Sequence, residues 1–169
     1  MTLDQSLCGA LLLYATGERL FELVLARRNT RALLAEGAYE IGRGHYPLLV
    51  GLHVFWLLAL WALYAADLVV LHPWPAAAYV AVQLLRLWTL WSLARFWTTR
   101  IIVLPDAPLV RRGPYRFLRH PNYMVVILEI ALLPLALGSW PIALAFSIVN
   151  AGALLWRVRV EETALAPRR

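Results

Sequence analysis

The sequence predicts an all-α, polytopic integral membrane protein of about five transmembrane helices, the last two forming a C-terminal helical hairpin that carries a polar site. Three observations support that expectation. Of the 169 residues, 62% are hydrophobic and the mean hydropathy is +0.65, well above the apolar share of roughly 45–50% usual for soluble domains. The apolar residues fall into five runs, each near the length of about 20 residues that a bilayer core demands. Arginine is concentrated in alternate connections between these runs, the asymmetry expected of a chain that crosses a membrane repeatedly.

The first run, Leu7 to Ala26, follows a start without the basic region or small-residue cleavage site of a signal peptide, so it is expected to remain as a helix. The one cysteine, Cys8, has no disulfide partner within the chain and makes a metal framework improbable; it reads as a helix-packing residue. The second and third runs, Pro47 to Ala66 and Pro75 to Ala94, are joined by DLVVLHPW. The fourth and fifth, Asn122 to Leu137 and Pro141 to Trp156, are shorter and joined by GSW. Both linkers lack arginine and carry the Pro or Gly of a turn. The segments after the first, third and fifth runs hold Arg27, Arg28, Arg31 and Arg43; Arg95, Arg100, Arg111, Arg112, Arg116 and Arg119; and Arg157, Arg159, Arg168 and Arg169. The positive-inside rule therefore puts these three segments in the cytoplasm and the N-terminus outside. Arginine without any lysine suggests a GC-rich bacterial genome, hence a bacterial inner membrane. No repeat or linker divides residues 1–169, which are expected to form one domain. The arginines make no contiguous basic face, which excludes nucleic acid as a partner. Arg111 and Arg112 are expected to face anionic lipid headgroups, and Trp88, Trp91 and Trp97 to lie near an entrance.

Polar residues inside the runs are more telling, because a charge in hydrocarbon costs at least about 2.5–3.5 kcal/mol on insertion scales and needs a partner or a function. They are Glu18, Arg19, Glu22, His53, Gln83, Arg86 and Glu129. With a helical rise of about 1.5 Å per residue, all fall near the midplane or in the cytoplasmic half. Arg86 and Glu129 lie at similar depths, about 10–14 Å from the cytoplasmic ends of their helices, and are expected to pair. The group reads either as an ion-pair layer holding the bundle or as the wall of a polar cavity open to the cytoplasm.

The stretch GPYRFLRHPNYMVVILE sets polar residues directly against the fourth run. Pro121, with its fixed φ and missing N–H, suits the first turn of a helix starting at His120 to Asn122. Free N–H groups and the helix dipole at that end favour an anion, and Arg119 and His120 add donors. After the turn at Gly138 the chain must return antiparallel, which brings Glu161 and Glu162 back to the level of His120 and Tyr123. Anion-binding donors and paired carboxylates at one end of one hairpin suit a zwitterionic ligand.

GPYRFLRHPNY, an apolar hairpin and then RVRVEETAL closely resemble the isoprenylcysteine carboxyl methyltransferase family and its RHPxY…EE site for S-adenosylmethionine. The resemblance is strongest over Leu104 to Leu165, the expected cofactor-binding core. RLFELVLARRN and GAYEIGRGHYPLLVGLH are similar to a small bacterial branch that includes alkylpyrone O-methyltransferases. The resemblance implies that Tyr115, His120, Pro121, Asn122 and Tyr123 contact the cofactor, with Leu109 and Val110 adding backbone and apolar contacts. It matches Glu161 to a cofactor-binding glutamate with Glu162 beside it, and Arg157 to an arginine on the acceptor side with a catalytic part. His120 reads as a cofactor ligand rather than a base. The chain lacks the extra N-terminal spans and C-terminal extension of the longer eukaryotic enzymes, which weakens the case for a prenylcysteine acceptor more than for the cofactor.

Methyl transfer from a sulfonium is an in-line displacement that works largely by alignment. The implied acceptor is an acidic oxygen, carboxyl or enol, on a lipophilic molecule in contact with membrane lipid. Two alternatives stand beside it: a phospholipid amine, with Glu22 or Glu129 as the acidic group, and a small transporter or assembly factor without enzymatic activity.

Overall fold

The computed structural model describes residues 2–105 and 107–165, so Arg168 and Arg169 lie outside the described residues. Five α-helices account for most of the chain: α1 Leu3–Ala35, α2 Tyr46–Ala65, α3 Pro73–Leu93, α4 Pro121–Ala136 and α5 Trp140–Leu165. By length and composition three of them can cross a membrane: Tyr46–Ala65, the 24 residues Pro73–Phe96, and the 25 residues Trp140–Ala164; α4 is a shorter apolar helix. The long side chains on the outside of the helices are largely apolar, among them Phe55, Val80, Leu84, Ile148 and Leu155. A bilayer satisfies such a surface, whereas water does not.

Boundaries follow local chemistry. Thr2 and Gln5 cap α1 reciprocally, Thr2 Oγ1 accepting from the Gln5 N–H at 3.2 Å and Gln5 Oε1 from the Thr2 N–H at 2.7 Å. Pro73 and Pro121 open α3 and α4, where a missing N–H costs nothing. Between α4 and α5 the chain reverses at Gly138, whose φ of +81° is left-handed and whose Cβ position lies 3.2 Å from the Val70 carbonyl oxygen. That carbonyl belongs to the α2–α3 linker, which docks on the end of α4 through Val70 N–H to Leu137 O at 3.3 Å and His72 N–H to Ala136 O at 2.8 Å. Carbonyls without a helical partner are thereby satisfied.

One expectation needs correction. Arg27, Arg28 and Arg31 do not lie in a connection: α1 continues through them to Ala35, because no Pro or Gly stands between Gly17 and Gly37. At its polar end α5 extends past Trp156, as the return of Glu161 and Glu162 to the level of His120 requires, and carries Arg157, Arg159, Glu161 and Glu162 as helical residues. A two-stranded antiparallel ribbon was not expected at all. It pairs β1 Tyr39–Ile41 with β2 Ile101–Val103, Tyr39 opposite Val103. The strands are three residues each, too short for a period-two pattern to stand out.

The core is an apolar seam of Leu12, Trp56, Leu60, Tyr79, Ile130, Leu133 and Leu137, with α3 and α4 in the most extensive contact and α4 and α5 next. Into it is set a buried ionic cluster. Glu129, fully buried, accepts from Arg86 Nε at 2.6 Å, from Gln83 Nε2 at 2.9 Å and from the end nitrogens of Arg86 and Arg19. Glu22 accepts from Arg86 Nη1 at 2.5 Å and Arg19 Nη1 at 3.0 Å. The expected Arg86–Glu129 pair is present, as the centre of a network tying α1, α3 and α4 together. His53 takes no part in these bonds; its Nδ1 lies 2.8 Å from the Leu49 carbonyl one turn earlier.

Candidate functional site

Past the end of α3 the chain passes through a 3₁₀ turn at Ala94–Phe96, strand β2, a loop and a second 3₁₀ turn at Gly113–Arg116, before entering α4 at Pro121. These segments, with the start of α4 and the end of α5, enclose a cavity of about 490 Å³, within the range of about 300–1,000 Å³ found for cofactor sites. Its wall is divided by chemistry. Ile101, Ile102, Leu104, Leu109 and Val110 give one apolar side; Arg119, His120, Asn122, Tyr123, Arg157 and Glu161 give a polar one.

The polar side is organised by the α4–α5 hairpin. Two helices leaving and returning from one turn bring their far ends to the same level, and there Tyr123 hydrogen-bonds to the Glu161 carboxylate. Arg157, one turn before Glu161, donates from Nε to the Tyr123 hydroxyl at 2.8 Å, with its guanidinium carbon 5.6 Å from the Tyr123 ring centre. The His120 ring stacks on the same tyrosine at 5.3 Å and 21°, and places Nε2 3.3 Å from Glu162 Oε1 and Nδ1 4.0 Å from Glu161 Oε1. Tyr115 enters from the 3₁₀ turn; burial first, and the Glu161 carboxylate second, push its phenol well above the ordinary range, so it stays protonated.

Gly113 fixes the approach of that turn. Its φ is +58°, and a Cβ there would stand 1.9 Å from Ser92 Oγ. Only glycine combines that backbone conformation with that contact. Arg112, next to it, donates from Nε to the Ser92 carbonyl at 2.8 Å; this arginine ties the loop to the end of α3, a structural role beyond the expected headgroup contact. Arg111 lines the cavity.

Of the ten residues singled out from the sequence, eight line this cavity: Leu109, Val110, Tyr115, His120, Asn122, Tyr123, Arg157 and Glu161. Pro121 is buried in the first turn of α4, where it shapes the helix start, and Glu162 meets the site through His120. Among the expected entrance tryptophans only Trp97 reaches the wall; Trp91 is 85% exposed on the outer surface.

A second cavity, of about 200 Å³ and mostly apolar, lies against the first, between α1, α2 and α5. Leu20, Leu23, Leu49, Val50, Val54, Leu57, Val126 and Leu154 supply its greasy surface, and His53, Arg19, Glu22 and Arg86 a polar margin. Trp97, Thr98, Asn122, Tyr123 and Arg157 line both cavities and so form their common wall. Sequence reasoning found three of these five. Trp97 was noted only for its position and Thr98 not at all, since a loop residue without a charge gives no signal of its own.

Comparison with known proteins gives these features a relationship. The chain is 39% identical over 155 residues to an uncharacterized protein, YpbQ, of Bacillus subtilis (strain 168), covering 88% of this chain and 90% of that one. It is 26% identical over 155 residues to an uncharacterized protein of Haemophilus influenzae, covering 88% of each. No solved structure matches. The model of the isoprenylcysteine carboxyl methyltransferase family matches residues 75–167, a span that takes in most of α3, the loop segments and the whole α4–α5 hairpin. Family membership supports a membrane methyltransferase in general terms, in agreement with the apolar helices described above. On a match extending over more than half of its length, the chain belongs to the isoprenylcysteine carboxyl methyltransferase family.

Proposed function

We propose that the protein is an S-adenosylmethionine-dependent integral membrane O-methyltransferase, acting on an acidic oxygen, carboxyl or enol, of a lipophilic acceptor such as an isoprenylated cysteine or an alkylpyrone. The observation that carries this reading is the pair of cavities meeting at one wall, the larger polar on one side and the smaller mostly apolar. Two reactants of opposite character need such an arrangement, one soluble and zwitterionic, the other greasy.

The larger cavity fits the cofactor. Arg119, His120 and Asn122 cluster at the start of α4, where an amino-acid carboxylate is favoured by charge and dipole. Glu161 offers a carboxylate for the α-ammonium, and the leucine, isoleucine and valine side suits the flat adenine. S-adenosylmethionine, when bound, supplies an electrophilic methyl group on a sulfonium. The chain's part is alignment, worth a large share of the barrier when two reactants are held in line. Tyr123, fixed by Glu161 and Arg157, sets the wall past which the methyl moves. Arg157, 8% exposed and in no ion pair among the described residues, is the cation facing the acceptor side.

An amine acceptor has less support. Glu22 and Glu129, the carboxylates that would attract an ammonium, are already paired, Glu22 with Arg19 and Arg86 and Glu129 with Arg19, Arg86 and Gln83. Glu18 sits 3.5 Å from Arg86 Nε and lines neither cavity. The positive-inside asymmetry supports a cytoplasmic site in a bacterial inner membrane, accessible to a soluble cofactor.

The test is transfer of labelled methyl from S-adenosylmethionine by the protein in nanodiscs, offered N-acetyl-S-farnesylcysteine, a long-chain 4-hydroxy-6-alkyl-2-pyrone or phosphatidylethanolamine. Label on an oxygen acceptor is expected; label on the amine alone would overturn the O-methyl reading.

A further inference from the structure

We infer that the turn leading into α4, from Arg111 to Arg119, is a docking surface for acidic phospholipid of the surrounding bilayer. Phe117 and Leu118 enter the edge of the hydrocarbon, beneath a headgroup drawn there by Arg111, Arg116 and Arg119. The inference stands apart from the methyltransferase reading, since it concerns the outside of the turn and not the reaction.

Exposed tryptophans mark the depth of this turn. Trp74 and Trp140 stand in the first turns of α3 and α5, and Trp91 and Trp156 lie further along the same two helices; all four are exposed. At a helical rise of about 1.5 Å per residue the two levels are about 25 Å apart, close to a hydrocarbon core of about 30 Å. Tryptophan gathers at both edges of that core. The turn sits at the second level: a Cβ on Gly113 would meet Ser92 Oγ and stand 3.1 Å from the Trp88 indole nitrogen, and Arg112 Nε bonds to the Ser92 carbonyl. Ser92 directly follows Trp91.

At that level the turn presents grease and charge side by side. Phe117 is 76% exposed and Leu118 beside it is exposed as well, with the Arg116 guanidinium carbon 6.0 Å from the Phe117 ring centre. Arg111, Arg116 and Arg119 are all exposed, and none of them joins an ion pair among the described residues. The sequence has no acidic residue from Ala107 to Pro121. Glu161 and Glu162, at the same end of the hairpin, are bonded to Tyr123 and His120. The positive charge of the turn is therefore left for something outside the chain.

A lipid at this place meets both demands. The apolar side chains lie against the upper part of its acyl chains while the guanidiniums stay at the headgroup, where arginine pairs well with phosphate oxygens. Net charge decides between lipids. The phosphate of phosphatidylcholine is offset by its own choline, whereas that of phosphatidylglycerol is not, so a cluster of unpaired arginines favours the acidic lipid. The surface differs from the sequence expectation, in which Arg111 and Arg112 made the headgroup contact: the Nε of Arg112 is taken up by α3, and Arg116, Phe117, Leu118 and Arg119 belong to the surface instead.

The experiment reads the turn locally. In a Cys8→Ala background, Leu118→Cys carries a small fluorophore, and the protein is placed in nanodiscs of phosphatidylcholine doped with either phosphatidylglycerol or phosphatidylcholine bearing a nitroxide near the headgroup end of one acyl chain. Both lipids should quench the fluorophore, and phosphatidylglycerol should reach half-quenching at a mole fraction about fivefold lower or less, the preference that one engaged arginine supplies. Adding Arg116→Gln should shrink that preference severalfold, and salt of about 1 M should do the same without any substitution at the arginines. Half-quenching at equal fractions of the two lipids, or a preference that neither Arg116→Gln nor salt reduces, would overturn the acidic-lipid surface. Absence of quenching by both lipids would show that the turn does not reach the bilayer, and would overturn it as well.

Discussion

Tyr123 is the residue on which the candidate site turns: it stacks on His120, bonds to Glu161 and receives the Arg157 Nε–H. Its partners were legible from the sequence because a hairpin of two helices of similar length returns its end to the level of its start. Glu161 should therefore act through charge at the cavity wall. Glu161→Ala is expected to weaken S-adenosylhomocysteine binding about ten- to hundredfold, the loss of one bond to a charged group, in protein that stays folded in detergent; calorimetric titration of the mutant checks this. Unchanged affinity would remove Glu161 from the cofactor site. Trp97 and Thr98 were not legible in the same way. Their place depends on the left-handed backbone at Ala94 and on the reach of Asn29 from another helix, contacts 65 and 68 residues apart in sequence, which no local pattern encodes.

At the scale of elements, the ionic cluster couples α1, α3 and α4. Depth along two helices was enough to foresee Arg86 with Glu129, since rise per residue is constant. The participation of Arg19 and Glu22 needed the packing of α1, which sequence does not give. Because both ions of the central pair are buried, removing one leaves the other uncompensated. Arg86→Ala and Glu129→Ala are each expected to cost about 3–5 kcal/mol, read as denaturation in detergent micelles; stabilities near wild type for both would mean that the pair does not form. Gly113 makes a comparable claim for the loop elements. A methyl group there meets Ser92 Oγ and forces a non-glycine residue to a φ of +58°. Gly113→Ala should destabilise the protein by about 1–3 kcal/mol and lower cofactor affinity by displacing Tyr115. Normal stability and affinity in that variant would show that the turn can shift without cost.

For the molecule as a whole, the distribution of charge and the two cavities give the proposed division of labour: a cofactor entering from the cytoplasm, an acceptor from the lipid. The apolar runs announced a membrane protein, while the length of α1 did not follow from them, because its arginines continue the helix instead of ending it. The orientation is testable with introduced cysteines, since Cys8 is the one native cysteine and can be replaced. In a Cys8→Ala background, Ser139→Cys at the α4–α5 turn should react with an impermeant maleimide in intact spheroplasts, and Arg116→Cys only after lysis; the reverse pattern would place the site outside. The central claim, a cofactor site at the open end of the α4–α5 hairpin, is tested most directly by calorimetric titration of the purified protein with S-adenosylhomocysteine, alongside His120→Ala. Saturable binding by the wild type that is lost or greatly weakened in His120→Ala is the predicted result. A well-folded wild-type protein that binds none, or a mutant that binds equally well, would contradict it.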